Sequence, residues 1–275
     1  MRILVTGAAG MLGRDLTAHL ADRHEVTGVD MEVDVTDLEA VRECVRETRP
    51  EAVMHLAAWT DVDGAEAREP EAEAVNARGS ANVAVVAAEV GAALVVPSTD
   101  YVFDGRAGRA YAEDDAPSPL GAYGRTKLAG ERGAIAAWPG GTRIARTAWL
   151  YGASGRNFVD TMRALGAERD ELTVVDDQEG SPTWTRDLAP ALEALLDQPP
   201  GIYHTAGGGS VTWAGFARAI FEEAGIHCAV VPITTAELGR PAPRPTYSPL
   251  VATRAGAPRL RPWREALSDY IKETA

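Results

Sequence analysis

Three features of the 275-residue sequence predict an α/β fold built on a doubly wound parallel sheet. Short apolar runs ("ILV", "VMHLAA" and "ALVVPS") have the length and composition of strands that are buried on both faces. Longer segments with helical spacing separate these runs, as is typical of parallel strands joined by right-handed crossovers. A glycine-rich turn follows the first run directly. The length allows one elaborated domain or a large domain with a small partner.

The helices between the strands are predicted from apolar residues that recur at helical spacing. In the first helix, after the glycine turn, one apolar stripe is formed by Leu12, Leu16 and Leu20. A second helix is expected to begin near Leu38, with Thr36 as its N-cap. A third runs through "EAVNARGSANVAVVAAEV" and is expected to end near Gly91, since glycine is a common signal at a helix C-terminus.

The glycine turn "VTGAAGMLG" places Gly7, Gly10 and Gly13 between the first strand and the first helix. Gly7 can make the tight turn, Gly10 lets backbone approach a pyrophosphate, and Gly13 allows the helix to pack closely on the strand. The first helical residues, Met11 and Leu12, begin a helix N-terminus that offers unpaired N–H groups to phosphates. This context predicts a Rossmann-type dinucleotide site, and a purely structural turn is the alternative.

Further dinucleotide contacts are predicted where the next two strands end. Asp30 ends the second strand, where its carboxylate can bind the adenosine ribose 2′-hydroxyl and disfavours a 2′-phosphate, which favours NADH. Arg14 could serve a 2′-phosphate, so both NADH and NADPH remain as cofactors. The remaining candidates lie against the adenine or after the third strand: Asp34, Val35, Ala57, Ala58 and Thr60. For Asp34 and Val35 the alternative is a helix-capping turn, and for the alanines it is a packing preference.

From about Leu150 onward the pattern changes to short strands, helices and proline-rich loops. We therefore predict two parts. Residues 1–150 form a dinucleotide-binding Rossmann domain, to which later segments can return. Residues 151–275 form mainly a smaller C-terminal mixed α/β substrate lobe.

A tyrosine and a lysine in "AYGRTKLAGE" are the strongest candidates for catalysis. Tyr123 and Lys127 lie four residues apart and therefore on one helical face. We expect Tyr123 to be a proton donor and the Lys127 ammonium to lower the pKa of its phenol. The strand end "PSTDY" adds Ser98, Thr99 and Tyr101, of which Thr99 would hydrogen-bond the substrate oxygen. The YxxxK spacing alone is common by chance, and its combination with the glycine loop is what favours chemistry.

Composition excludes several classes of function. A net charge of −13 argues against a general binder of nucleic acid or of a membrane surface. The only cysteines, Cys44 and Cys228, indicate neither a disulfide framework nor a zinc site. Mg²⁺ is compatible with the acidic surface, but no dedicated ligand set indicates it, and no metal site is predicted. No run of about 18 apolar residues suggests a membrane span, so we expect a cytoplasmic protein.

Together these segments resemble the extended short-chain dehydrogenase/reductase family and, within it, the dTDP-4-dehydrorhamnose reductases. The resemblance covers nearly the whole chain and includes "VTGAAGMLG", "STDYVFDG", "SPLGAYGRTKLAGE", "DDQEGSPTWTRDLA" and "RPAPRPTYS". It implies reduction by NADH or NADPH of the C4 ketone of a dTDP-6-deoxy-4-ketosugar, with dTDP-4-dehydro-L-rhamnose favoured. It also implies that Thr99, Tyr123 and Lys127 form a catalytic triad. Related dehydratases carry an acidic residue at the position of Tyr101, so dehydration is disfavoured.

The same resemblance implies a sugar pocket lined by Tyr101 and Trp149. Further candidates for substrate binding come mostly from the second half of the chain: Asn157, Ser181, Thr183 and Arg244. Arg244 is attractive because an anionic diphosphate needs a cation in an otherwise acidic protein. The alternatives are a core aromatic for Trp149, loop caps for Asn157 and Thr183, and a surface charge for Arg244.

Two other functions stay open from the sequence. One is a 4-ketoreductase for another dTDP-deoxysugar of an antibiotic pathway, because pocket residues can change while the triad stays. The other is a non-catalytic regulatory subunit that resembles the dinucleotide-binding partner of methionine adenosyltransferase, because fold alone does not determine function. A dTDP-sugar is the partner expected for the favoured reductase and for the antibiotic-pathway reductase. A homodimer is compatible with the sequence.

Overall fold

The computed structural model describes residues 1–274 and contains twelve strands and eleven α-helices within that range. The strands are β1 Arg2–Thr6, β2 Glu25–Val29, β3 Ala52–His55, β4 Ala93–Thr99, β5 Thr142–Thr147, β6 Leu150–Tyr151, β7 Glu171–Val175, β8 Glu179–Gly180, β9 Thr183–Trp184, β10 Gly201–His204, β11 Val211–Thr212 and β12 Ala229–Ile233. The helices are α1 Met11–Ala21, α2 Leu38–Thr48, α3 Val62–Ala67, α4 Glu69–Glu73, α5 Ser80–Val90, α6 Ala122–Ala137, α7 Phe158–Glu168, α8 Thr185–Ala194, α9 Trp213–Ala224, α10 Thr235–Leu238 and α11 Trp263–Glu273. None of these helices has the length and apolarity needed to cross a membrane.

Six strands form one parallel sheet in the order β10-β5-β4-β3-β1-β2. β2 lies on one side of β1, and β3, β4, β5 and β10 follow in turn on the other side. The order therefore reverses between β1 and β3, and in such sheets a ligand binds in the crevice at the carboxyl ends of the strands next to that reversal. This architecture confirms the predicted Rossmann-type doubly wound fold.

Both faces of the sheet are covered, which explains why its strands are apolar without alternation. In β1, Ile3 and Val5 pack with α1 and α8, whereas Leu4 packs on the opposite face with α2 and α5. All three side chains are at most 2% exposed. A strand that alternated polar and apolar residues would place polar groups against one of these helical layers.

Local signals account for most helix boundaries. The leucine stripe of α1 is buried as predicted, and Gly91 ends α5 in the left-handed conformation at φ 68°. The expected N-cap of α2 was wrong: Asp37, not Thr36, caps the helix. The Asp37 carboxylate accepts the backbone N–H of Glu39 at 2.9 Å. Thr36 lies one residue too early, and its own N–H is held by Asp34 at 2.9 Å.

A second core lies in the C-terminal half and joins α7, α9 and α11 with the parallel pair β7 and β12. Tyr151, Phe216 and Tyr270 are among its buried aromatics. One stretch of this half returns to the sheet: α8 packs on α1, and β10 pairs with β5. We propose that the substrate lobe comprises the part of 151–275 outside this returning stretch.

Candidate active site

The glycine turn makes close backbone contacts that leave no room for a Cβ at Gly7 or Gly13. Gly7 has φ +69°, and a Cβ there would lie 2.7 Å from the backbone nitrogen of Ala57. A Cβ on Gly13 would lie 2.2 Å from the carbonyl oxygen of Gly7. The first turn of α1 is therefore pressed against the end of β1, and the turn itself against the end of β3.

The N-terminus of α1 is open for an anion. Its N-cap is Gly10, which offers no capping side chain, and the first turn of the helix contains no acidic residue. The N–H groups of Met11, Leu12 and Gly13 therefore keep no intrahelical partner. Backbone donors at a helix N-terminus that glycines leave uncovered fit a dinucleotide pyrophosphate.

The residues predicted near the adenosine lie beside this turn. Asp30 follows β2, and its Oδ2 accepts the N–H of Ala9 at 2.9 Å. Arg14 is exposed on α1 and donates from Nε to the Ala9 carbonyl oxygen at 3.0 Å. Asp30 and Arg14 thus contact the same residue of the loop, so the carboxylate predicted to bind the ribose and a cation lie side by side.

Asp34 and Val35, which were predicted to lie against the adenine, have different environments in the structure. Asp34 is exposed, and hydrogen bonds from Thr36 hold its pKa below the ordinary value. Val35 is buried under Gly79, where a Cβ would lie 2.9 Å from the Val35 side chain. The carboxylate of Asp34 therefore closes a turn before α2, while Val35 is part of the core.

The end of β3 is held against β1. Ala57 donates its N–H to Thr6 Oγ1 at 3.3 Å, and both Ala57 and Ala58 are partly buried. Thr60 is exposed two residues later. Small residues thus line the crevice at the reversal point of the sheet, next to the glycine turn.

Thr99 ends β4 and is hydrogen-bonded to Asp100, a buried acid that was not among the predicted site residues. Its hydroxyl donates to Asp100 Oδ1 at 3.2 Å and accepts the N–H of Tyr101 at 3.1 Å. Ser248 donates to Asp100 Oδ2 at 2.6 Å. Burial raises the pKa of Asp100 to about 7, against the hydrogen bonds from Ser248 and Thr99. This carboxyl can therefore change charge near neutral pH.

Tyr123 lies in the first turn of α6, beside Thr99 and Tyr101. The Tyr101 and Tyr123 rings meet edge to face, with centroids 5.8 Å apart. Gly124 allows this approach, because a Cβ there would lie 2.2 Å from the Tyr101 carbonyl oxygen. Burial, and then the charge of Asp100, raise the pKa of Tyr123 to about 12, with the Thr99 hydroxyl opposing the shift.

Lys127 lies one turn further along α6 and is 8% exposed. Its Nζ donates to the carbonyl oxygen of Pro97 at 2.9 Å. Burial lowers the pKa of Lys127 to about 8, and the charge of Glu131 opposes this. We expected Lys127 to lower the pKa of Tyr123, yet desolvation dominates in the structure and raises it. The ammonium is directed at a strand carbonyl instead.

Polar side chains near Lys127 lack some of their partners. His55 receives or donates one hydrogen bond at Nδ1, with Thr6 Oγ1 at 2.8 Å, but its buried Nε2 has no partner among residues 1–274. The buried hydroxyl of Ser98 is likewise unpaired within that range. Burial and then the charge of Lys127 lower the pKa of His55 to about 3, so it is neutral. Unpaired buried groups of this kind commonly mark a ligand or an internal water.

A buried ion pair lies on the same face of α6. Arg146 on β5 donates to both carboxylate oxygens of Glu131, at 3.0 and 2.7 Å. Both side chains are 2% exposed. Tyr123, Lys127 and Glu131 recur every four residues, so one helical face carries the phenol, the ammonium and the carboxylate.

Arg244 reaches the site from a proline-rich segment late in the chain. Its Nη2 donates to both oxygens of Asp63 on α3 at 3.1 Å. A narrow cleft between this segment and α6 is lined by Tyr101, Tyr123 and Pro243, among others. The structure therefore brings Arg244 to Tyr101 and pairs it with the carboxylate of Asp63.

Three other candidates from the second half are committed to internal hydrogen bonds. Asn157 caps α7, where Oδ1 accepts the N–H of Asp160 at 2.9 Å, and its amide donates to the Gly152 carbonyl at 2.9 Å. Ser181 donates to the carbonyl oxygen of Gly209 at 2.9 Å. Thr183 donates to the Ser181 carbonyl oxygen at 3.1 Å. All three are at most 6% exposed, so each closes a loop of the fold.

Trp149 differs from these three because its ring is only partly buried. It follows β5 with φ 48°, an uncommon conformation for a bulky side chain. Its indole lies parallel to that of Trp213, with centroids 3.5 Å apart. It packs against both the second core and the small cluster around Phe103, which places it between the sheet and the lobe.

Sequence reasoning missed Asp100, Ser248 and Asp63. Asp100 had a detectable signal, since it is an ionisable residue between a buried strand and "YVF". The other two carry no local signal, because Ser248 is 148 residues from Asp100 and Asp63 is 181 residues from Arg244. Within residues 1–274 no cluster of three or more His, Cys, Asp or Glu residues is arranged to hold a metal ion.

Comparison with known proteins gives consistent matches over the full chain. A family model described as RmlD substrate binding domain matches residues 1–275. The dTDP-4-dehydrorhamnose reductase of Streptomyces griseus is 48% identical over 281 residues, which covers 98% of this chain and 92% of the relative. The dTDP-4-keto-6-deoxy-D-glucose reductase of Streptomyces niveus is 42% identical and covers 97% of this chain and 95% of the relative.

The solved structures agree with the sequence matches. The crystal structure of dTDP-4-dehydrorhamnose reductase from Bacillus anthracis str. Ames, determined in complex with NADP, is 40% identical and superimposes with a TM-score of 0.96. That superposition covers 99% of each chain.

Proposed function

The chain belongs to the RmlD substrate binding domain family, and from that premise we propose that it is an NAD(P)H-dependent reductase of the C4 ketone of a dTDP-6-deoxy-4-ketosugar. The observation that carries the proposal is the convergence of Thr99, Tyr123 and Lys127 on the carboxyl edge of the sheet, beside the open N-terminus of α1. The favoured reaction is dTDP-4-dehydro-L-rhamnose to dTDP-L-rhamnose.

The cofactor would be held at the reversal point of the sheet. Gly7, Gly10 and Gly13 leave room for its pyrophosphate at the N-terminus of α1, and Asp30 lies where the adenosine ribose is expected. Ala57 and Ala58 would border its path across the strand ends. When bound, NADH or NADPH supplies the hydride.

Tyr123 supplies the proton in this proposal. Its phenol stays protonated at neutral pH because its pKa is raised to about 12, and it can donate to an alkoxide as that charge develops at the sugar C4 oxygen. Lys127 is a cation one turn away, and a pKa near 8 keeps it mostly charged at neutral pH. We propose that it stabilises the phenolate after transfer and contacts the nicotinamide ribose.

Thr99 can orient the carbonyl only if its hydroxyl hydrogen is free. With Asp100 ionised, that hydrogen is donated to Asp100 Oδ1. With Asp100 protonated, the acid can donate to Thr99 Oγ1 instead, and the threonine O–H becomes available to the substrate oxygen. The neutral acid also removes a negative charge beside Tyr123. The protonated form of Asp100 is therefore the form that favours reduction.

The identity of residue 101 favours reduction over elimination of water. A dehydratase needs a second acid or base near the ketosugar, and Tyr101 cannot serve as a base at neutral pH, because burial raises the pKa of its phenol. We propose that Tyr101 and Trp149 border the sugar. Arg244 would bind the diphosphate after exchanging its pairing with Asp63 for the phosphate oxygens.

The second candidate is reduction of a different dTDP-4-ketosugar, which the 42%-identical Streptomyces niveus relative favours. The test is a panel: the purified protein is mixed with NADPH or NADH and with dTDP-4-dehydro-L-rhamnose or dTDP-4-keto-6-deoxy-D-glucose, each generated enzymatically. Loss of reduced-nicotinamide absorbance gives the rate, and NMR identifies the product.

The outcomes of the panel separate the functions. A clear preference for dTDP-4-dehydro-L-rhamnose, with dTDP-L-rhamnose as product, supports the favoured reaction. Preference for the other sugar supports the second candidate. Tight dinucleotide binding with no turnover of either sugar contradicts both, and points to a non-catalytic regulatory subunit.

A further inference from the structure

Trp149 is held in an unusual conformation at the boundary between the sheet and the substrate lobe. Its φ of 48° lies in the left-handed region, and Arg49 is the only other non-glycine residue at positive φ within 1–274. Arg49 ends helix α2, where that conformation is common. Trp149 is not at a helix end. A strained aromatic residue persists only where its surroundings fix it, and such residues concentrate at functional sites.

Two neighbours confine the indole of Trp149. Trp213 covers one face of the ring, with centroids 3.5 Å apart and planes 5° apart. Gly180 lies close to the Nε1, Cε2 and Cζ2 atoms of the ring, since a Cβ there would lie 2.4 Å from Trp149 Cε2. The ring therefore cannot rotate toward either neighbour without moving β8 or α9.

Trp213 is itself fixed by the substrate lobe. It is the first residue of α9, and its Nε1 donates to Gln178 Oε1 at 3.2 Å. Gln178 is 3% exposed, and its amide donates to Thr235 Oγ1 at 2.8 Å. Phe158 packs on Trp213 from another side, with centroids 4.5 Å apart. This chain of contacts ties the orientation of the stack to α7, α9 and α10.

We propose that Trp213 is a positioning residue. It stacks on one face of the Trp149 indole and holds the ring so that the opposite face contacts the sugar of the substrate. The inference rests on the proposed function, because it takes the ligand to be a dTDP-deoxysugar. An indole face is apolar and rigid, which suits the C–H face of a deoxyhexose. Both rings are only partly buried, so the pair borders accessible space rather than filling a closed core.

A double-mutant cycle tests the proposal. Sugar KM, kcat and NADPH affinity are measured for Trp213→Leu, Trp149→Ala and the double variant, with dTDP-L-rhamnose affinity measured by calorimetry in the presence of NADP⁺. Loss of the stack is expected to raise sugar KM and product Kd by about 3- to 10-fold, with kcat and NADPH affinity changed by less than about 2-fold. In the Trp149→Ala background, Trp213→Leu is expected to add no further change.

Two control variants distinguish a folding defect from the loss of a positioning contact. Trp138→Leu removes an indole that caps the far end of α6 and donates to the Ala92 carbonyl oxygen, and it should leave sugar KM unchanged. Trp213→Phe keeps an aromatic face and should recover most of the affinity if Trp213→Leu folds poorly. Equal increases in KM with and without Trp149 would overturn the proposal, as would an unchanged KM in Trp213→Leu.

Failure of the proposed function would look different. If wild-type protein turned over no ketosugar and calorimetry showed no binding of dTDP-L-rhamnose, both the proposed function and this inference would be contradicted. If wild-type protein were active and Trp213→Leu behaved like wild type, only the inference would fail.

Discussion

The carboxyl edge of the sheet and the loops of the substrate lobe both carry buried polar residues, but they use them differently. At the sheet edge, His55 Nε2 and Ser98 Oγ have no partner within residues 1–274. Asp100 and Lys127 there have pKa values displaced to about 7 and about 8. In the lobe, Asn157, Ser181 and Thr183 bond to the chain itself.

The contrast is between sheet-edge groups that lack some hydrogen-bond partners and lobe groups whose hydrogen bonds hold loops of the fold. A buried polar atom without a partner is costly, and a ligand or an internal water is a common partner for such an atom. A buried polar atom with a full set of internal bonds stabilises one loop conformation. We therefore propose that the chemistry occurs at the sheet edge, and that Trp149, Tyr101 and Arg244 contribute to recognition of the substrate.

The largest expected effect comes from removing the phenol that we propose as the proton donor. Tyr123→Phe should lower kcat by about 10²- to 10⁴-fold, the usual contribution of a general acid, while NADPH affinity changes little. Steady-state kinetics and a fluorescence titration with NADPH measure the two quantities. Tyr203→Phe is the matched control, because its ring lies in the core beside the sheet and its hydroxyl donates to the Pro199 carbonyl oxygen. A Tyr123→Phe enzyme with near-normal kcat would contradict the assignment.

The glycine turn gives the next largest effect. In Gly13→Ala the new methyl would lie 2.2 Å from the Gly7 carbonyl oxygen, so the first turn of α1 must move. We expect NADPH Kd to rise at least about 10-fold and stability to fall by about 1–3 kcal/mol. Gly140→Ala is the control, since its methyl would meet the Trp138 ring at 3.5 Å, an ordinary contact. Equal NADPH affinity in both variants would argue against a dinucleotide site at this turn.

Asp100 should give a smaller, pH-dependent effect. Its folded-state pKa of about 7 lies above the ordinary 3.8, so the folded protein holds this proton more tightly than the unfolded chain. Ionisation therefore costs stability as pH rises from about 4 to about 7. When Asp100 is ionised, the Thr99 hydroxyl donates its hydrogen bond to Asp100 and not to the substrate. We therefore expect kcat/KM to fall as pH rises through about 7.

Asp100→Asn removes this titration. The variant should show a flatter kcat/KM profile between pH 6 and pH 8, and its unfolding free energy should lose the decline expected between about pH 4 and pH 7. Profiles of kcat/KM and urea unfolding at several pH values test both statements. A decline through pH 7 that is equally steep in wild type and variant would remove Asp100 from the account.

The smallest effect on catalysis is expected in the lobe. Asn157→Ala removes the N-cap of α7 and should lower stability by about 1–2 kcal/mol, with sugar KM changed by less than about 3-fold. Asn157→Asp keeps the acceptor for the Asp160 N–H and should recover part of the stability. Thermal unfolding and KM measurements distinguish the cases. A large rise in KM with unchanged stability would return Asn157 to the substrate site.

The features that the sequence predicted depend on residues close together in the chain. The glycine spacing, the leucine stripe of α1 and the Tyr123–Lys127 pair each lie within one turn or one helix, so pattern alone places them. The doubly wound sheet follows from the alternation of apolar strands and helices, and the structure confirms it.

What the sequence missed depends on contacts between distant segments. Ser248 meets Asp100, Asp63 meets Arg244, and Trp213 stacks on Trp149 only after the lobe has folded. The expected pKa shift of Tyr123 had the opposite sign, because the spacing reveals the neighbouring lysine but not the burial that outweighs it. Burial of a polar group is a property of the whole fold.

The most direct test of the central claim follows the hydride to the sugar carbon. Wild-type protein is incubated with dTDP-4-dehydro-L-rhamnose and NADPH deuterated at the transferable position of nicotinamide C4, and the product is analysed by NMR. We predict deuterium at C4 of dTDP-L-rhamnose with wild-type protein, and almost no product with Tyr123→Phe. Deuterium at another carbon, or equal product from both proteins, would contradict the account.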